Sequence, residues 1–210
     1  MKRSDEGAVM VSLVDGTHKI ASLRVERSLA MALRCLVVAL VIGFVLGCAR
    51  RKETGLYPGD LAPDFSLPTV AGSGSESLRL SDLKGRVVLV NFWASWCSPC
   101  ISELPAMERL YARLKDRGFV ILGVGVDDQP ESLAEFQRKY ALTFPLVVDS
   151  AGEVKTRYKL NGVPESFVVD REGKLVLLPD PADGIPAVRI IGPREWDSPD
   201  AIARIEALLK

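Results

Sequence analysis

The sequence predicts an α/β domain built on a central mixed β-sheet flanked by helices. Three observations predict it. From residue 86 onward, short and nearly continuous apolar runs alternate with stretches of helical period, the pattern of strands buried on both faces and joined through helices. Near the C-terminus two strand-like segments flank Arg171-Glu172-Gly173, a turn too tight for a crossover, so they form an antiparallel hairpin and make the sheet mixed. The 210 residues hold no internal repeat and no second core, which at roughly 100–200 residues per domain suits one domain with an appendage.

The elements follow in order. Segments near 65–68 and 77–80, separated by the Gly/Ser-rich stretch 72–76, predict an N-terminal hairpin. Arg86–Phe92 is an almost unbroken apolar run and reads as a strand covered on both faces. From Ser98 the period becomes helical, with Leu104, Met107, Leu110 and Leu114 on one face and Gly118 as the stop. Phe119–Val126 is a second buried strand, and Asp127-Asp128-Gln129-Pro130 turns into a helix carrying Leu133, Phe136 and Tyr140. Pro145–Asp149 is a short third strand, followed by a helix near 150–159. Glu165–Asp170 and Lys174–Leu178 are the arms of the terminal hairpin. Ser198 as N-cap and Pro199 as first helical residue open a last helix that buries Ile202, Ile205, Leu208 and Leu209.

Composition removes several functions. Hydrophobic residues at 48% and charged residues at 26% exclude a disordered or collagen-like chain. Twenty-seven basic residues balance 27 acidic ones, so there is no basic footprint for nucleic acid. The single histidine, His18, precedes the folded body, which excludes a Ser-His-Asp triad, a Cys-His dyad and any His-ligated zinc or haem there. No metal and no cofactor is expected.

The front end reads as an export signal. After a polar stretch over 1–28, Arg34 precedes 15 uncharged residues, Cys35 to Ala49. As a helix this run spans about 22 Å, short of a bilayer core of about 30 Å, but it suits a signal-peptide h-region. Its end, Val45-Leu46-Gly47-Cys48, resembles a bacterial lipobox, in which the cysteine becomes lipidated and N-terminal. Residues 1–48 are thus a leader with a lipidation site at Cys48, 49–58 a linker and 59–210 the domain. The alternative is an uncleaved signal anchor starting nearer Leu29, against which Arg50, Arg51 and Lys52 speak because positive charge favours the cytoplasmic side. Translation starting at Met10 or Met31 would leave a signal of ordinary length. Either way the body is exported.

Two of the four cysteines belong to this leader and two, Cys97 and Cys100, to the body. Two cysteines and no histidine cannot complete a structural zinc site. A disulfide across two intervening residues constrains little of the unfolded chain, so a structural bridge is a poor explanation. Redox chemistry is the use that remains.

Asn91-Phe92-Trp93-Ala94-Ser95-Trp96-Cys97-Ser98-Pro99-Cys100 resembles the thioredoxin superfamily, specifically its TlpA/ResA/CcmG group of extracytoplasmic thiol-disulfide oxidoreductases. Pro58-Gly59-Asp60-Leu61-Ala62-Pro63-Asp64-Phe65, Glu103-Leu104-Pro105 and Gly162-Val163-Pro164-Glu165-Ser166-Phe167 match the same group. The resemblance covers residue 58 to the C-terminus except 179–191. It implies a thioredoxin-like fold with an N-terminal β-hairpin and a central insertion. It also implies protein disulfide or dithiol substrates (apocytochromes c awaiting haem among them) and a membrane thiol reductant of the CcdA/DsbD type.

In that frame Cys97, at a strand-to-helix junction whose free amides favour a thiolate, is the nucleophile, and Cys100, one turn on, resolves the mixed disulfide. Trp96 either shields the sulfur or simply packs. The resemblance implies a cis Val163-Pro164 bond facing the disulfide, with the Val163 backbone pairing to substrate; from the residues alone, a strand-initiating proline serves as well. Glu103 shares a helix face with Cys100, and its counterpart in the ResA group modulates the thiols; a solvated first-turn glutamate is the alternative. Asn91 stands where ordinary thioredoxins carry a buried aspartate. Glu165 either tunes Cys97 and repels acidic substrates or is a charge at the rim. The proline-rich segment 179–189 is an extended loop for a partner or a tolerated insertion. A general oxidant shares every motif, its direction being set by reduction potential, and two other functions share some features: a peroxiredoxin-type thiol peroxidase, through Ala62-Pro63-Asp64-Phe65, and a copper or haem chaperone using two thiolates.

Overall fold

The computed structural model describes residues 56–70, 76–126 and 129–210. The leader, Cys48 and most of the linker lie outside the described residues, as do 71–75 and 127–128. Contacts divide the chain into Met1–Glu53 and a compact unit Thr54–Lys210, the latter described below.

Strands β1 (Ser66–Pro68) and β2 (Ser77–Arg79) pair antiparallel as the expected hairpin. The backbone just beyond β1 docks on the main sheet, where the Val70 amide donates to the Leu146 carbonyl at 3.0 Å. The opening motif is tied to the core as well. Phe65 is buried against Tyr158, whose hydroxyl donates to the Pro63 carbonyl at 3.0 Å.

The main sheet is five-stranded in the order β5-β4-β3-β6-β9, from β3 (Val87–Trp93), β4 (Phe119–Val126), β5 (Leu146–Asp149), β6 (Glu165–Val169) and β9 (Arg189–Ile191). β3, β4 and β5 run parallel, while β6 is antiparallel to β3 and to β9. Every residue of β3 and β4 is buried, as their unbroken apolar runs require of strands covered on both faces. Helix α1 (Ser98–Leu114) follows β3 and packs on β4 with Leu104, Met107, Leu110 and Leu114 inward. A short 3-10 turn then ends at Gly118, whose φ of 87° is the left-handed value a helix stop needs.

Helix α2 (Pro130–Lys139) and β5 follow β4 in the chain. The helix expected near 150–159 is only Glu153–Arg157, here α3, because Asp149–Gly152 first closes a turn. Ser198 caps α4 (Pro199–Leu208) by accepting from the Ala201 amide at 3.2 Å.

The terminal hairpin is corrected. Its turn forms, the Gly173 amide donating to Asp170, but Lys174–Leu178 does not continue as a sheet strand. Its backbone is claimed from the other side by the opening segment, through Ala62 to Gly173 at 2.9 Å and Leu175 to Asp60 at 2.8 Å. Only Lys174–Val176 pairs with the far arm, through the Asp170 amide to the Lys174 carbonyl, the Val169–Leu175 bridge and the Val176 amide to the Val168 carbonyl. The near end of β6, Glu165–Phe167, pairs instead with β9 from the segment expected to be a loop. Between the two contacts the chain leaves the sheet as a small ribbon of β7 (Leu178–Pro179) and β8 (Pro186–Ala187).

Candidate functional site

Cys97 and Cys100 are joined in a disulfide with their Cα atoms 5.3 Å apart. Cys97 is the N-cap of α1, in extended backbone at the end of the β3 connection, and the Cys100 amide donates to its sulfur at 3.2 Å. That amide is one of the helix's unpaired donors, and in the reduced protein it favours a thiolate at Cys97. The carbonyl oxygen of Val163 lies 3.6 Å from the same sulfur and favours the protonated thiol, so the two backbone groups pull in opposite directions. The Val163–Pro164 peptide is cis, as the resemblance implied. Cys97 is 5% exposed and Cys100 fully buried, so only the first sulfur meets a substrate from outside. Trp96 is 63% exposed, which removes ordinary packing as its explanation and leaves an apolar surface beside Cys97.

Glu103 is buried one turn beyond Cys100, not solvated. Its Oε1 accepts from Asn91 Nδ2 at 2.9 Å; its Oε2 accepts from the Arg194 amide at 3.0 Å and from Trp196 Nε1 at 3.2 Å. Burial raises its pKa to about 7, against the opposing pull of these three donors and the Arg194 charge. Asn91 also donates to Ser166 Oγ at 3.0 Å, while its own carbonyl oxygen is buried without a partner. An open polar cavity of about 510 Å³ lies against α1, with Glu103, Ala106, Arg109, Arg194 and Asp197 in its wall.

Glu165 is not at the rim. Its side chain is buried, with Oε1 accepting from the Asn161 and Gly162 amides at 2.9 and 3.1 Å and Oε2 lying 3.3 Å from the Arg189 guanidinium. The loop before Pro164 has amides that no strand satisfies, and this carboxylate satisfies them. Ser166, Arg194 and Trp196 were not foreseen as parts of the site. They come from β6 and from the approach to α4, and nothing local to a serine or a tryptophan marks it as the partner of a residue 75 or 93 positions away. Among the described residues, no group of three or more His, Cys, Asp or Glu side chains is placed to hold a metal ion.

The chain is similar to known proteins. Residues 58–177 match the AhpC/TSA family. The thiol-disulfide oxidoreductase ResA of Bacillus cereus is 32% identical over 155 residues, spanning 73% of this chain and 88% of the relative. This chain belongs to the ResA thiol-disulfide oxidoreductases. ResA of Oceanobacillus iheyensis is 36% identical over 142 residues, or 67% of this chain and 74% of that protein. A crystal structure from Chlorobium tepidum, assigned as a thiol:disulfide interchange protein of the DsbE type, covers 74% of this chain and all of its own at 33% identity and a TM-score of 0.63. The thioredoxin domain of a Bacteroides vulgatus thiol-disulfide oxidoreductase superposes with a TM-score of 0.59 at 28% identity, covering 74% of this chain and all of that domain. For a ResA-type oxidoreductase the Cys97–Cys100 pair is the redox centre, and the thioredoxin-like fold follows from the same comparisons.

Proposed function

We propose that this ResA-type chain is a membrane-tethered, extracytoplasmic reductase of protein disulfides. The observation that carries the reading is the asymmetry of the pair: Cys97 keeps 5% exposure at a helix N-cap beside the Val163 carbonyl, and Cys100 is fully buried behind it. The Cys97 thiolate attacks one sulfur of a substrate disulfide, forming a mixed disulfide and expelling the other substrate sulfur as a thiolate, which takes up a proton. Cys100, deprotonated toward Glu103, then attacks the Cys97 sulfur. The second substrate thiol leaves, and the Cys97–Cys100 bond of the described state forms. Two electrons and two protons pass from the dithiol to the substrate.

Val163 lends its backbone to the substrate segment, Pro164 shapes that surface, and Trp96 covers apolar flanks of the disulfide. Glu165 acts at one remove, by holding the loop that carries Val163. Protons held by Glu103 exchange with water through the cavity beside it. The uncharged run Cys35–Ala49 with its lipobox-like end at Cys48 supports a leader over 1–48 with lipidation at that cysteine, a linker over 49–58 and an exported domain from residue 59. Among the described residues no helix is long and apolar enough to cross a membrane. Electrons then come from a membrane thiol carrier of the CcdA/DsbD type, and apocytochromes c are substrates.

Two measurements test this. In the full chain, Cys100→Ser traps a mixed disulfide with substrate, and Cys97→Ser traps none; the reverse would exchange the roles. Counting free Cys97/Cys100 thiols after equilibration in graded thiol buffers gives the direction. A potential near about −270 mV supports a reductase, and one near about −120 mV makes the chain an oxidant.

A further inference from the structure

The ribbon that leaves the sheet between β6 and β9 is tied back to the site by one ion pair. Asp180, just after β7, is buried, and its two carboxylate oxygens accept from Arg194 Nε at 2.6 Å and from its terminal nitrogen at 2.5 Å. This fork holds Asp180 ionised, its pKa lowered chiefly by the hydrogen bond to Arg194. Asp180 is itself held by its own ribbon: its amide donates to Ile185, its carbonyl accepts from Gly184, and Oδ1 accepts from the Ala182 amide at 2.9 Å. Arg194 is thus gripped by a closed turn of the inserted segment, while its backbone amide donates to Glu103 Oε2.

We propose that Asp180 is a positioning residue for the redox reaction, and that the inserted ribbon exists in this chain to hold Arg194 so that its amide and charge stay on Glu103. The inference rests on the reading of Glu103 as the proton exchanger. The groups facing that carboxyl are few. Asn91 reaches it from β3, with Ser166 of β6 behind. The Arg194 amide and guanidinium and the Trp196 indole come from the segment before α4, and Arg109, Glu195 and Asp197 line the cavity. Cys100 lies on its own helix. Arg194 is the cation whose charge bears on Glu103, and Arg109 is engaged by Asp197 at 2.5 Å. Without Asp180 the Arg194 guanidinium returns to water, where its charge is screened, and the amide behind it loosens. Both changes disfavour the ionised carboxyl.

The test uses the full-length chain in its oxidised form, following the infrared carbonyl stretch of protonated Glu103 against pH. Glu103→Gln, which lacks that band, assigns it. The same preparations, once reduced, give the pH inflection of the rate of cleaving a small aromatic disulfide. Asp180→Asn is expected to move the midpoint of the band upward by about half a unit to one unit, a roughly three- to tenfold change in the proton affinity of that carboxyl. The rate inflection moves with it. Arg194→Gln, which removes the cation outright, moves both in the same direction and carries the test if Asp180→Asn does not fold. In the double variant Asp180→Asn/Glu103→Gln the rate profile matches Glu103→Gln alone.

A folded Asp180→Asn with midpoint and inflection unmoved, or moved downward, overturns the role of Asp180 while leaving that of Glu103 intact. A wild-type rate inflection that survives Glu103→Gln overturns the reading of Glu103 beneath it. An Asp180→Asn effect that persists in the double variant places its action elsewhere and overturns the proposal.

Discussion

Glu103→Gln is expected to stabilise the oxidised protein at neutral and alkaline pH. In the oxidised state neither active-site cysteine titrates, so the carboxyl can be followed without them. Its pKa rises from an ordinary 4.5 to about 7 because burial disfavours the charged form. The folded protein therefore holds this proton more tightly than the unfolded chain. The stabilisation that gives is complete below about pH 4.5 and is lost as the pH rises through about 7. At about 1.4 kcal/mol per pH unit the loss comes to about 3 kcal/mol. Glutamine never ionises and escapes it. Its carbonyl can accept from the Arg194 and Trp196 donors, and its amide can donate to the Asn91 carbonyl oxygen, now buried without a partner, if the Asn91 amide turns over. Urea unfolding of both proteins from pH 4 to 9 provides the comparison, since every other titrating group contributes to both curves. The curves should part above about pH 4.5, and by about pH 8 the variant should be the more stable by roughly 2–3 kcal/mol. Parallel curves across that window would refute the argument that burial governs this carboxyl.

Asn91→Asp places a second carboxylate at the 2.9 Å contact with Glu103, so one of the two must stay protonated; stability should fall by about 2–4 kcal/mol between pH 5 and 8, read by the same urea series. Gly125→Ala drives a methyl into the Leu133 side chain in a fully buried contact between β4 and α2, and should cost about 1–3 kcal/mol in a thermal melt without moving the redox potential. Ser198→Ala removes the N-cap of α4 and should cost about 1 kcal/mol, with faster amide exchange confined to that helix's first turn.

How much could be read in advance depended on how local each signal was. Phe119–Val126 is observed with the predicted bounds, and β3 is displaced by one residue, because a strand buried on both faces writes its limits as an unbroken apolar run. The start of α1 at Ser98 and the cap of α4 were equally plain, since a change of period and the Ser198-Pro199 pair act within one turn of themselves. The terminal hairpin was misread for the opposite reason. Its turn is local and formed, but which segment lies beside β6 was decided by competition. Ala62 and Leu61, over a hundred residues earlier, take the backbone of 173–175, and β9 takes the place left open.

The same division runs through the site. Residue type and spacing determined the reaction class, the identity of the redox pair and the face that Glu103 shares with Cys100, since a helix turn relates those positions whatever surrounds them. Tertiary structure alone decided that Glu103 is buried, that Glu165 turns inward to serve the loop before Pro164, and that Asp180 of the β7–β8 ribbon reaches Glu103 through Arg194. The setting of Glu103 depends on desolvation and on partners brought from 12 to 93 positions away, and even Glu165, whose amide partners lie three and four residues before it, turns inward only where the fold buries it beside Arg189.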